Sequence, residues 1–288
     1  MTVSSENRDH VVVTGASTGI GAASARELAR RGFHVLAGVR RERDADALRA
    51  PGIEPVILDI TEPDHVDRLA VRAGARTGAL RALVNNAAVS VNAPVETLPL
   101  AEWRRLFEVN LFGHVAVTQA LLPALLRHSG RVVNVSSVGG KVAMATFGAY
   151  AGTKFALEAV SDALRREMAP LGVQVVVVEP GGVRTEMGER GIAATGRLAA
   201  AMSPEHRDRY GPLVQAIMGL TAAGTTGGTS AEDAAQVIAK AVTARRPRTR
   251  YTIGRDAALL ARLSRLLPDR LLDRVTAAVL RPHYPRPT

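Results

Sequence analysis

A run of valines, Val11-Val12-Val13, passes without a break into Thr14-Gly15-Ala16-Ser17-Thr18-Gly19-Ile20-Gly21, and an amphipathic stretch from Ala22 to Arg31 follows directly. Few backbones accept that order. An apolar strand must turn within a few residues into a helix. Three glycines at this spacing supply the tight turn, the close approach of an anionic group and close packing of helix on strand. Backbone N–H groups at such a helix start attract phosphate, which makes Gly15, Ser17, Thr18, Gly19, Ile20 and Gly21 candidate ligands of a dinucleotide pyrophosphate.

The same alternation runs on down the chain. Apolar stretches of strand length recur at Val11 to Thr14, Val35 to Val39, Pro55 to Asp59, Ala82 to Asn85, Arg131 to Ser136 and Val173 to Glu179, with helix-length amphipathic segments between them. This predicts an α/β, doubly wound parallel sheet of the Rossmann type. Val175-Val176-Val177-Val178 is apolar throughout, as expected where helices cover both sheet faces. Gly32, Gly130 and Gly172 each stand between a helical stretch and a strand, where a left-handed cap is expected. No linker or repeat divides the 288 residues, so one domain is expected over 1–288. Its parts are a cofactor-binding and catalytic core (8–185), a mobile helical lid over the substrate (186–229) and a C-terminal part (230–288). The last holds a helix capped at Ser230-Ala231-Glu232-Asp233, a strand at Arg250 to Ile253 and a helical tail from Asp256 to Leu280 broken at Pro268.

Composition narrows the function classes. Cysteine is absent, which excludes disulfides, thiol catalysis and thiolate zinc sites and fits a cytoplasmic protein. No metal site is expected. The formal charge of +10 comes from arginines spread along the chain, with few aromatics for base stacking, so no nucleic-acid partner is expected. The N-terminal stretch Met1 to His10 is polar and carries no apolar signal core, and no uninterrupted apolar run approaches membrane-spanning length. The tail's leucine pairs and arginines suit packing on the domain or a second subunit better than a membrane surface.

Lysine occurs only at 141, 154 and 240, yet Lys154 stands four residues after Tyr150, with Ser137 thirteen residues before that tyrosine. Side chains four apart on a helix share a face. An ammonium near the phenol favours phenolate and is expected to pull the tyrosine pKa down from about 10 toward operating pH, while Ser137 hydrogen-bonds the same substrate oxygen. Together with the glycine loop, these residues imply hydride transfer. At the end of the second strand, where NAD enzymes usually place a carboxylate for the ribose, the chain has Gly38-Val39-Arg40-Arg41. A guanidinium there suits a 2'-phosphate, so NADP(H) is expected in preference to NAD(H), with Arg40 and either Ser17 or Thr18 as ligands. The bland alternative for Arg40 is a solvated surface arginine.

These motifs, spanning Thr14 to Thr185, resemble the classical short-chain dehydrogenase/reductase family. The resemblance implies an NAD(P)-dependent oxidoreductase in which Tyr150 is the acid/base, Lys154 its partner and ribose ligand, and Ser137 the carbonyl positioner. It also implies that Asn110 anchors a water relay to Lys154, that Asp59 and Ile60 flank the adenine, and that Asn86 lies beside the cofactor. Pro180-Gly181-Gly182-Val183-Arg184-Thr185 would hold the nicotinamide end. Asn85-Asn86-Ala87-Ala88 departs from the family, which usually ends this turn in glycine. Met144-Ala145-Thr146-Phe147 and the lid's Met187, Ile192, Leu198, Met202, Leu213, Ile217 and Met218 suggest an apolar pocket wall, or a packed lid or subunit interface. The likeness is greatest to the 17-beta-hydroxysteroid and retinol dehydrogenase branch, implying a lipophilic carbonyl or alcohol substrate and a homo-oligomer, dimer or tetramer. The alternatives are a reductase of 3-ketoacyl thioesters and a non-catalytic NADP(H)-sensing protein.

Overall fold

The computed structural model describes residues 8–285. Most of the polar N-terminal stretch, residues 1–7, lies outside the described residues, as do residues 286–288. Seven parallel strands form one sheet in the order β3-β2-β1-β4-β5-β6-β7. They are β1 (His10–Val13), β2 (His34–Val39), β3 (Ile53–Ile57), β4 (Leu80–Asn85), β5 (Arg131–Val135), β6 (Gln174–Pro180) and β7 (Arg250–Ile253). The strand order reverses between β1 and β4, and a crevice forms there at the carboxyl ends of the strands.

The valine runs face two ways. Val11 and Val13 pack with α1 (Gly19–Arg30), α2 (Glu42–Leu48) and α9 (Ala231–Thr243) through Ala25, Leu28, Leu48 and Ile238. Val12 points to the opposite face, where α3 (Pro63–Gly74), α5 (Gly113–Arg127) and α6 (Gly148–Met168) supply Leu69, Leu121, Leu125 and Leu164. Each fully buried valine or leucine contributes about 1.5–3 kcal/mol, so a strand apolar on both faces stays in the sheet centre.

A single helical stretch runs from Leu100 to Arg127, through α4 (Leu100–Phe107), a π-helical segment (Glu108–Phe112) and α5. By length and composition alone it could cross a membrane, which exceeds what the sequence led us to expect; half of its most apolar window is buried inside the protein, the placement of a core helix.

Gly32 and Gly172 take the left-handed conformation expected of them, with φ of +93° and +81°. Gly130 does not. Ser129 carries the positive φ, +48°, and Gly130 is demanded by space: a Cβ there would lie 2.7 Å from Leu125 Cδ2 and 2.8 Å from the Leu80 carbonyl oxygen.

Residues 186–229 form α7 (Glu186–Ala200) and α8 (Pro204–Gly227), and they are less detached than expected. Ile217 is fully buried and joins Ala216, Leu213 and Phe147 with Leu280 of the tail, while Ala194 and Leu198 pack on Val91, Leu98 and Leu106. Several residues expected to wall an open pocket therefore close on one another. The tail folds as α10 (Arg255–Leu266) and α11 (Asp269–Leu280), broken at Pro268, and packs on the domain through Ala257, Ala261 and Leu280.

Candidate active site

The glycine loop after β1 is shaped by contacts that exclude any side chain. A Cβ at Gly21 would lie 2.2 Å from the Gly15 carbonyl oxygen and 2.5 Å from Asn86 Nδ2, and Gly15 and Gly19 both have positive φ. Thr18 caps α1 without a side-chain hydrogen bond, and the first turn holds no acidic residue. The helix start thus presents N–H groups with no acidic residue in its own first turn, which fits a pyrophosphate; the Glu186 carboxylate of α7 lies nearby, its Oε2 3.7 Å from where a Gly19 Cβ would sit.

Asn86 is fixed beside this loop. Its Nδ2 donates to the Thr14 and Gly15 carbonyls at 3.0 and 3.1 Å, and Thr14 Oγ1 accepts from the backbone N–H groups of Asn86 and Ala87 at 2.9 and 3.0 Å. Ala88 in place of the usual glycine leaves those bonds intact. On the opposite wall, Gly181 N–H donates to the Ile253 carbonyl at 2.9 Å, and Val183 bridges Thr229. Thr185 begins α7 and lies against Gly19, its Cγ2 only 2.9 Å from where a Cβ would sit. The two loops meet over the strand ends.

Toward the adenine end, Asp59 Oδ1 accepts from Thr61 N and Oγ1 at 3.0 and 2.7 Å, and buried Ile60 packs on Gly113. Arg40, directly after β2, is exposed with no ion-pair partner among the described residues. Its guanidinium is free to meet an anion. No described cluster of His, Cys, Asp or Glu could hold a metal.

The expected acid/base pair lies deeper. Tyr150 is in the first turn of α6 and 8% exposed; Lys154, one turn on, is 1% exposed. Lys154 Nζ donates to the Val135 carbonyl at the end of β5 (3.0 Å) and lies 5.8 Å from the centre of the Tyr150 ring. Ser137 caps a 3-10 turn (Val138–Gly140): its Oγ accepts from Gly139 N at 3.0 Å and donates to the Pro180 carbonyl at 3.4 Å. Gly139 lies against the Tyr150 ring, so the serine turn and the tyrosine are packed together.

The electrostatics differ from the expectation that Lys154 draws Tyr150 down. Burial pushes the Tyr150 phenol above its ordinary value, opposed by a hydrogen bond from Ser137. Lys154 is itself brought down to about 8 by burial, with the Glu158 carboxylate opposing the fall. Desolvation disfavours whichever form is charged, phenolate and ammonium alike, and it is the largest influence on both groups.

Asn110 lies in the π-helical segment, a distortion common at functional sites. Its Oδ1 accepts from Val89 N, and its Nδ2 donates to the Val89 carbonyl and to Thr153 Oγ1, at 2.9, 2.9 and 3.2 Å. Its side chain is thus fully engaged within the protein.

Several contributors escaped sequence reasoning. Val135 acts through a carbonyl, Thr153 through a hydroxyl next to Lys154, and His114 through Nε2, which meets the Ala87 carbonyl at 2.6 Å. None has a motif. Thr146, with φ of +66°, is a β-branched residue in the left-handed region just before α6, a strained bend that only the fold reveals.

Comparison with known proteins identifies the family of the chain. The family model described as short chain dehydrogenase matches residues 9–194. An uncharacterized oxidoreductase, YbbO of Escherichia coli strain K12, is 36% identical over 92% of this chain and 93% of its own. Mouse (Mus musculus) retinol dehydrogenase 5 is 38% identical, covering 96% and 89%. Among solved structures, a short chain dehydrogenase from Burkholderia cenocepacia in complex with NADP matches with TM-score 0.73 and 26% identity, covering 96% and 98%. A structure from Burkholderia phymatum in complex with NAD has the same TM-score at 23% identity, covering 91% and 94%, and speaks to the fold alone.

Proposed function

The chain belongs to the short-chain dehydrogenase family, in its retinol dehydrogenase-like branch, and from that premise we propose that it interconverts a lipophilic secondary alcohol and its carbonyl with NADP(H). The observation that carries this reading is the convergence of Ser137, Tyr150 and Lys154 at the carboxyl ends of β5 and β6, beside a glycine loop built for phosphate.

A bound nicotinamide supplies or accepts the hydride. The chain's own residues handle the proton. In reduction, the Tyr150 phenol donates its proton to the carbonyl oxygen while Ser137 Oγ holds that oxygen; in oxidation, the phenolate takes the hydroxyl proton as hydride leaves the same carbon. Lys154 sits behind the phenol and favours the phenolate whenever it is protonated. Asp59 and Ile60 would flank the adenine, Asn86 would lie beside the cofactor, and Pro180, Gly181, Val183 and Thr185 would hold the nicotinamide end. Arg40, exposed and unpaired, supports the 2'-phosphate and hence NADP(H).

The retinol dehydrogenase relatives and the apolar residues of α7 support a lipophilic substrate. Exposed Phe112 just before α5, with Phe155 and Val160 on α6, supports a homo-oligomer, and the cysteine-free composition suits the cytoplasm.

The test is oxidation of NADPH and NADH by the purified protein against steroid, retinoid, aliphatic and 3-ketoacyl carbonyls. Tyr150→Phe should lower turnover by about 10²–10⁴-fold while NADPH still binds. Arg40→Asp should reverse the cofactor preference. Preference for thioesters, or binding without turnover on every compound, would overturn the reading.

A further inference from the structure

Glu158 stands one helical turn beyond Lys154 on α6, as Lys154 stands one turn beyond Tyr150, so the three share one face of the helix. The chain commits to this carboxylate: it is 5% exposed and held by Lys141 Nζ at 2.6 Å and by Arg250 Nη2 at 3.0 Å. The same two cations reach Glu179 Oε1, at 3.6 and 3.2 Å, and Arg250 Nη2 also meets Asp162 at 2.9 Å.

Two of the chain's three lysines thus bracket Glu158. Lys141 follows the 3-10 turn capped by Ser137, and that turn lies flat on the helix. A Cβ at Gly140 would sit 3.1 Å from both Glu158 Cγ and the Lys154 carbonyl. Lys154, by contrast, has no carboxylate within ion-pair distance among the described residues, and its ammonium donates to the Val135 carbonyl. A buried ammonium held only by a neutral carbonyl tends to lose its proton unless a nearby negative charge opposes this.

We propose that Glu158 is a positioning residue for the reaction, the counter-charge that keeps the buried Lys154 ammonium protonated near neutral pH. This rests on the reading of Tyr150 and Lys154 given above. The charged and titratable groups around the pair are Tyr150, Glu158 and Asp162 of α6, Lys141 after the serine turn, Glu179 of β6, Arg250 of β7 and His114 of α5. Burial draws Lys154 down to about 8 and Glu158 opposes this; His114 stays neutral because burial holds it at about 3. Lys141 and Arg250 pair with the Glu158 carboxylate. Glu179 is pushed above the ordinary carboxylate range by burial and by the neighbouring Glu158 carboxylate.

The scarcity of lysine makes the test direct. Carbon-13 at the lysine ε position gives signals from Lys141, Lys154 and Lys240 alone, and Lys240→Arg with Lys141→Met assigns them. Titrated by NMR, Lys154 in Glu158→Gln should deprotonate at lower pH by on the order of one unit or more. Lys141→Met leaves Glu158 its Arg250 partner and removes a positive charge, so Lys154 should move the opposite way. Where wild type turns over, the limb of its kcat/KM profile due to Lys154 should follow the same two directions. An unmoved Lys154 in Glu158→Gln, or shifts of the same sign in both variants, overturns the proposal. If Glu158→Gln does not fold, Glu158→Asp, which keeps the charge but draws it back toward the helix, should still lower the Lys154 titration, and an unmoved Lys154 there overturns the proposal. Absence of turnover on every carbonyl would sink the catalytic reading and leave the titration as a separate result.

Discussion

His114 sits behind the cofactor crevice with Nε2 bound to the Ala87 carbonyl and Nδ1 buried without a partner among the described groups. Burial, with the positive charge of Lys154, holds its pKa at about 3, and burial holds His10 at about 4. Both are depressed below the unfolded value of 6.5, so the unfolded chain binds more protons as pH falls. Their contribution to stability is complete above about pH 6.5 and is lost downward toward pH 3 to 4. For His114 the loss reaches about 3 kcal/mol near pH 4.5. His114→Gln retains a donor for Ala87 and removes the titration. Urea denaturation of this variant from neutral to acid pH should show a shallower loss than wild type by about that amount; parallel curves would refute the assignment. The residues that titrate here were not legible in the sequence, because a histidine's pKa depends on what the fold packs around it. Tyr150 and Lys154 were legible as a pair because a four-residue step on a helix is itself a shared face, whereas it is the fold that packs the Ser137 turn on the Tyr150 ring.

At the scale of elements, glycines at the ends of α1, α5 and α6 separate two demands that look identical in a sequence. Gly32 has φ of +93° and nothing within 4 Å of its missing Cβ, so Gly32→Ala meets only backbone strain, about 1 kcal/mol. Gly130 has an ordinary backbone but no room, with Leu125 and the Leu80 carbonyl both under 3 Å from a Cβ. Gly130→Ala must push apart the end of α5 and the start of β4, at a cost of about 1–3 kcal/mol. Chemical denaturation midpoints should therefore rank Gly130→Ala below Gly32→Ala, and the reverse order would show that the strand end yields. The strands themselves were readable to within a residue or two, since a valine run buried on both faces admits little else. α7 and α8 were not. Their apolar residues are scattered without a clean period, and only the folded chain shows Ile217 meeting Leu280 of the tail.

At the scale of the whole molecule, the face formed by α5 and α6 leaves large apolar side chains uncovered. Phe112 and Phe155 are 55% and 44% exposed, with Val160 and Leu126 also open. Between the two helices lies a cavity of about 230 Å³ lined by Val115, Leu122, Val160 and Leu164 over a floor of His114 and Asn134. Large apolar side chains gathered on one face of a monomer mark an interaction surface, and two helices repeated about a two-fold axis give a self-complementary patch. The active-site residues project from the opposite side of α6, so a second copy on this face would stiffen the helix carrying Tyr150 and Lys154 without closing the crevice. Phe155→Glu places a charge in that interface and leaves the described core untouched. Light scattering should then report the monomer mass, against a multiple of it for wild type, with a parallel loss of thermal stability. A wild-type monomer, or an oligomer indifferent to Phe155→Glu, would move the contact elsewhere, and the exposed leucines of α10 and α11, Leu259, Leu266 and Leu271, would be the next surface to substitute.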